Sequence, residues 1–154
     1  MKWAEPDSSR RYFVAFAQRV TRRHYWFDVF TRPAWRHCFV LWQPHDVGFK
    51  PIVTLEPLIF GTMANFHFGI SIEEAVARLL SDDRITVIVE VDVSLTGRVP
   101  YFLVGPRSCV NIIKSMLFIH AWRVQTPRQL YRYLIERGGQ LWHRQQFEEA
   151  TDGR

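Results

Sequence analysis

The chain predicts an α+β fold, an antiparallel sheet packed on one central helix. Three observations carry that expectation. Strand-type runs crowd the first two thirds of the chain, and two of them, 35–42 (WRHCFVLW) and 52–59 (IVTLEPLI), flank a Pro-, Asp- and Gly-containing stretch as a hairpin would. The strongest helix comes late, from Ser108 to about residue 119. Its apolar residues Val110, Ile112, Ile113, Met116, Leu117 and Ile119 wrap most of its circumference, which calls for burial. The regular strand–helix alternation of a doubly wound sheet is missing.

In chain order, residues 1–11 are polar and read as a flexible N-terminus. Residues 12–17 (YFVAFA) are apolar strand formers. Residues 21–30 mix aromatic and basic side chains without a clean period, and Arg32-Pro33 breaks the run. The strand 35–42 ends at Gln43-Pro44, residues 44–51 form a turn, and the strand 52–59 follows. Pro57 lacks an N–H, so it lies at an edge or marks where pairing stops. Residues 61–69 read as a loop carrying Phe66 and Phe68. Ser71-Ile72-Glu73-Glu74 fits a capping box and opens a helix to about Leu80. Residues 84–93 (RITVIVEVDV) are the cleanest strand, with Glu90 and Asp92 alternating onto a solvated face. A turn at Thr96-Gly97 and a short strand at 100–104 precede the late helix. Residues 122–125 read as extended. Thr126-Pro127 is a cap and first-turn pair, and Gly138-Gly139 ends the helix it opens. Residues 140–154 read as a loose polar tail, so one domain spans 12–139.

The 154 residues suit one domain with a real core. An apolar fraction of 47% with 23% charged residues excludes a disordered chain. Six Trp and twelve Phe predict a core of large rings or an aromatic surface for a partner. No run approaches the roughly 18 apolar residues of a membrane span. The first residues lack a signal-peptide stretch, so the expected location is the cytoplasm. The net charge of +5 comes from arginine, and it reads as a solvated basic face. No nucleic-acid motif accompanies it, so nucleic acid is not an expected partner. Two cysteines make no disulfide framework, and a reducing cytosol argues against their pairing. No metal or other cofactor is expected: no spacing joins the histidines into a metal site, and no phosphate loop, dinucleotide fingerprint or serine elbow is present.

Cys109 carries the chemistry. It follows Gly105-Pro106-Arg107-Ser108, a breaker and then a capping serine, and so opens the late helix. A thiol in a first helical turn faces the positive end of the helix dipole, which favours the nucleophilic thiolate. Cysteine hydrolysis also needs an imidazole to carry the proton and a polar group to orient it. His37, in the strand 35–42, is the candidate base. His67, in the loop 61–69, is its rival but lacks a following strand to supply an orienting group. On the next strand Ile52, Thr54 and Glu56 share a face, so either Glu56 or Thr54 can serve the imidazole. Glu56 is preferred, because a carboxylate also stabilises an imidazolium. Cys38 alternates to the face opposite His37, and so reads as a small core residue outside the site.

A helix-start cysteine with Ile112 and Ile113 three and four residues on resembles the catalytic helix of NlpC/P60-type papain-like enzymes. His37 precedes Cys109, as in the circularly permuted branch that includes the lecithin-retinol-acyltransferase-like proteins. The string from Arg107 to Leu117, with Thr126-Pro127-Arg128-Gln129-Leu130-Tyr131 after it, is also similar to small tailed-phage proteins. The resemblance covers about residues 35–137. It implies a papain-like fold, Cys109 as nucleophile, His37 as base and Glu56 as third residue. It also implies thioester chemistry on an amide or ester bond, in a host cytoplasm if the chain is phage-encoded. Two departures bear on the substrate: Val110 follows the cysteine where a small or polar residue is common, and Cys-Phe-Val follows His37. A rival reading is a non-enzymatic phage accessory or virion protein, binding a partner through an aromatic and arginine-rich surface. Trp35, Trp42 and Arg107 would then be the residues to examine.

Overall fold

The computed structural model describes residues 9–18, 33–44, 50–58, 61–94 and 108–143. In chain order the elements are β1 (Ser9–Ala17), a 3-10 turn (Pro33–Trp35), β2 (His37–Trp42), β3 (Ile52–Leu58), β4 (Gly61–His67), α1 (Ile72–Leu80), β5 (Ile85–Ser94), α2 (Cys109–Met116), α3 (Pro127–Glu136) and β6 (Gln140–Trp142). The six strands form one sheet in the order β4-β3-β2-β1-β5-β6. Every neighbouring pair is antiparallel, so the fold is α+β.

β1 is central because both of its faces are apolar. Tyr12, Val14 and Phe16 point to one side, Phe13, Ala15 and Ala17 to the other, and all six are buried. A strand of that kind must be covered twice. α1 covers one face, packing Ile72, Val76 and Leu80 over Phe13, Leu41 and Ile88. α2 and α3 cover the other, packing Val110, Ile113, Leu130 and Leu134 over Val14, Phe16, Val40 and Val89. Burying each Phe of β1 stabilises the fold by about 1.5–3 kcal/mol. Trp35 and Trp42 join the α2 side, Trp35 meeting Tyr131 at a tilt with ring centroids 4.6 Å apart.

α2 and α3 stop in the same way with different residues. In α3 the N–H of Gly138 bonds the Ile135 carbonyl and that of Gly139 bonds Leu134, with Gly138 at φ 89°. This is the paired C-terminal motif in which glycine takes the left-handed position. In α2 the same two bonds run from Phe118 to Ser115 and from Ile119 to Lys114, with Phe118 at φ 54°. α2 therefore ends at Met116, short of the expected residue 119. Buried Lys114 helps close the turn, its Nζ donating to the carbonyls of Ala121 and Val124.

Several sequence expectations are corrected. Ser9, Arg10 and Arg11 are not loose: they pair with Ser94, Val93 and Asp92, because ten-residue β5 extends that far. Residues 61–67 are a strand, held as β4 by register with β3 from Leu58↔Gly61 to Ile52↔His67. Residues 122–123 turn rather than extend. Residues 140–142 pair with Glu90, Val89 and Ile88 as β6, so the polar tail begins inside the sheet. Glu90 is buried, not solvated: it accepts from Arg11 Nε at 2.6 Å and Trp142 Nε1 at 2.8 Å. At β1, β4, β6 and Glu90 a long-range partner overrides the local reading, whereas 122–123 is a local turn closed by the Val124 N–H on the Ala121 carbonyl. The expectations for residues 1–8, 21–30, most of the 44–51 turn, 96–97, the 100–104 strand, Gly105-Pro106-Arg107 and 144–154 lie outside the described residues.

Candidate active site

Cys109 is the first residue of α2. Ser108 precedes it in extended conformation, and its Oγ accepts from Asn111 N–H at 3.1 Å. The first turn of α2 holds no acidic residue, so nothing on that turn neutralises the positive end of the helix dipole. α2 lies across β2 and β3, which brings Cys109 to the start of β2.

The sheet is parted there. β2 and β3 pair at only three positions, Val40↔Leu55, Leu41↔Thr54 and Trp42↔Val53. Continued two steps, the register would set Cys38 against Pro57, which has no N–H to offer. Pairing therefore stops, as Pro57 led one to expect, while β3 goes on pairing with β4 through Pro57↔Thr62. His37 and Cys38 remain tied to β1 opposite Ala17 and Phe16. Their other side has no strand partner among the described residues, and the Cys109 sulfur lies beside them. The sulfur meets the Cys38 thiol, the Cys38 backbone N–H and the His37 imidazole.

Cys38 thus shares the site, against the expectation that strand alternation would keep it away. The alternation itself holds: Cys38 packs on the α2 side, while His37 lies beside Phe39, whose side chain faces α1. Two facts defeat the inference. α2 sits on the face that Cys38 presents, and His37 is the terminal residue of its strand, beside the parting rather than behind a paired neighbour.

These contacts set the ionisation. The Cys38 thiol, hydrogen-bonded to the Cys109 sulfur, does most to hold the Cys109 pKa well below the ordinary thiol value. Burial opposes it, and the His37 imidazole and the Cys38 N–H add to the lowering. Burial works against an imidazolium at His37. The Cys109 sulfur and the Glu56 carboxylate together outweigh it and raise the His37 pKa above 6.5. Burial foremost, and then the neighbouring Cys109 sulfur, drive the Cys38 thiol up, so Cys38 remains a donor. Two cysteines in contact are pushed in opposite directions. The arrangement favours a Cys109 thiolate between an imidazolium and a protonated thiol.

Glu56 stands 3.2 Å from His37, Oε1 to Nε2. The oxygen lies off the N–H direction, so the contact is an ion pair rather than an aligned hydrogen bond, and Nε2 has no other partner among the described residues. The His37 and Glu56 side chains keep 23% and 34% exposure and Cys109 as a residue is partly exposed, while the His37 Nε2 atom itself is buried. Thr54 shares the Glu56 face but is buried opposite Leu41, deeper along the paired part of β3. His67 ends the edge strand opposite Ile52, four residues along β3 from Glu56. Sequence reasoning assembled Cys109, His37 and Glu56 and missed Cys38. Pro57 was the available signal, since it ends the pairing that would have closed off the Cys38 backbone. Among the described residues, no group of three His, Cys, Asp or Glu side chains could hold a metal ion, and no helix is long and apolar enough to cross a membrane. A cleft of about 440 Å³ lies at the other end of α2, between Phe118, Tyr133 and Arg137, away from Cys109. No family model matches the chain, and the searches of curated proteins and of solved structures found no match to it either.

Proposed function

We propose that the chain is a cysteine hydrolase or acyltransferase of the permuted papain-like type, acting on an amide or ester bond. The observation that carries this reading is Cys109 in the first turn of α2, in contact with His37, which in turn stands 3.2 Å from Glu56. The Cys109 thiolate attacks the carbonyl carbon. The oxyanion that forms is met by the Cys109 backbone N–H at the start of α2, one of the helical donors without an intrahelical partner. His37 Nε2 is turned to Glu56, so Nδ1 serves the sulfur side and hands a proton to the leaving group. Water or an acceptor alcohol or amine then attacks the thioester, with His37 as base. Glu56 orients the ring and stabilises its charged form. The phage setting and the host cytoplasm belong to the same proposal and rest on the sequence resemblance.

The test is acylation by an activated ester such as p-nitrophenyl acetate. The expected result is an acetyl adduct on the Cys109 peptide, absent in Cys109→Ser and slowed in His37→Ala. A chain whose Cys109 never acylates refutes the reading. A second reading, a non-enzymatic binding protein, has its own observation: Phe66, Phe68 and Trp122 are 59%, 63% and 74% exposed. It predicts that the biological activity survives Cys109→Ser.

A further inference from the structure

The pairing of the two sulfurs has a consequence that hydrolysis does not use. The chain contains two cysteines, and the packing of α2 on β2 makes them neighbours although 71 positions of sequence separate them: Cys38 lies in the core cluster that Cys109 packs against. They differ in access: Cys109 is partly exposed, and Cys38 is fully buried beneath α2. We propose that Cys38 and Cys109 form a reversible redox pair, in which a hydroperoxide oxidises Cys109 and Cys38 resolves it to an intramolecular disulfide.

The chemistry balances. The Cys109 thiolate attacks the distal peroxide oxygen. The S–O bond forms as the O–O bond breaks, and the departing oxygen takes up a proton and leaves as water or alcohol. Sulfur is oxidised and the peroxide reduced, giving a sulfenic acid. The Cys38 sulfur then attacks the Cys109 sulfur. The S–S bond forms as the S–O bond breaks, and the hydroxyl leaves as water with the Cys38 proton. A disulfide asks for Cα atoms about 4.4–6.8 Å apart. Cys109 at the start of α2 packs on the cluster that holds Cys38 near the start of β2, and the bond closes if the two neighbours meet that separation. Cys38 also has the placement of a resolving residue. It sits behind the nucleophile, where no dissolved thiol competes. The bond would mask Cys109 and tie α2 to β2 until a dithiol reduced it. None of this requires that Cys109 hydrolyse anything.

The test uses the whole chain, treated with a several-fold excess of hydrogen peroxide, unfolded in iodoacetamide and weighed. The expected product is monomeric, lighter by about 2 Da, refractory to alkylation, and returned to two alkylatable thiols by dithiothreitol. Trypsin should release one species joining the Cys38 and Cys109 fragments. Two alkylated cysteines after treatment, a gain of about 32 Da on Cys109 alone, or a link between two chains would each overturn the proposal. In Cys38→Ser, Cys109 should pass to the sulfinic acid and no longer recover with dithiothreitol, and equal recovery would count against resolution by Cys38. The wild-type mass decides the matter even if that variant does not fold. Ester acylation of untreated protein is scored separately, so failure of the redox pair and failure of the hydrolase reading are distinguishable.

Discussion

α1 and α2 begin alike and use their beginnings differently. Each is opened by a serine in extended conformation, Ser71 or Ser108, whose hydroxyl accepts from the backbone N–H three residues on. α1 then fills its first turn with Glu73 and Glu74, which complement the dipole and pair with Arg11 and Arg78. α2 has no acid in that turn and puts Cys109 at its head. In the first helix the field at the N-terminus is spent on stability. In the second it is left for a sulfur that also receives two donors from Cys38 and one from His37. The same cap therefore marks a purely structural helix start in one place and one that carries a thiol of lowered pKa in the other, and the difference lies in the first turn and in what it rests on.

The largest effect expected from breaking this contrast is at Cys109 itself. Cys109→Ser should abolish acylation by activated esters, because a hydroxyl is far less nucleophilic than a thiolate at neutral pH. Its unfolding free energy should stay within about 1 kcal/mol of wild type, as read by urea denaturation. A matching loss of stability would mean the thiol is a packing element.

Removing the imidazole comes next. The lowered Cys109 pKa keeps a thiolate present well below the pH at which a free thiol ionises. The raised His37 pKa keeps an imidazolium beside it above pH 6.5. Iodoacetamide should accordingly label Cys109 at mildly acidic pH, where an ordinary thiol of pKa about 8.5 reacts slowly. Cys38, pushed the other way and buried, should stay unlabelled until the chain unfolds. In His37→Ala the midpoint of the Cys109 profile should move up by about one pH unit, a tenfold change in the thiolate equilibrium. Superimposable profiles would remove His37 from the site.

A smaller change makes α2 resemble α1. Asn111→Asp puts a carboxylate into the first turn of α2. Helix-terminus charge effects of about 0.3–1 kcal/mol correspond to a twofold to fivefold change in the thiolate equilibrium. The midpoint of Cys109 labelling against pH should rise by about 0.2–0.7 pH units, that factor in the equilibrium, while thermal stability is kept. An unmoved or lower midpoint would show that the dipole end does not control the thiol.

The mildest test compares the caps. Ser71→Ala and Ser108→Ala should each cost about 1 kcal/mol in denaturant unfolding. Only Ser108→Ala should alter Cys109 labelling. An equal change from Ser71→Ala would mean that labelling follows global opening rather than local geometry.

Much of this was legible in the chain. Ser71, Ser108 and Thr126 announced their helices, and Gly138-Gly139 the end of α3, because caps are written in a few adjacent residues. Pro57 announced that pairing would fail near it. Cys109 at a helix start, His37 on a strand and Glu56 on the next strand followed from local pattern and period. What was not legible depended on distant partners. β4, the first residues of β1, and β6 are strands because β3 and β5 pair with them, and their own residues are weak strand formers. Glu90 looked solvated until Arg11 and Trp142 arrived from 79 and 52 positions away.

By itself, then, the sequence determined the helix starts and stops, the apolar strands, and the residue types able to do thiol chemistry. These depend on interactions between neighbours along the chain. Only the tertiary structure decided that Glu56 rather than Thr54 stands at His37, and that Cys38 rather than solvent faces the Cys109 sulfur. Strand period alone leaves Glu56 and Thr54 equivalent, and it places Cys38 opposite His37 without telling that α2 covers that face. The parting of β2 from β3, and the laying of α2 across it, are packing events that no local pattern encodes.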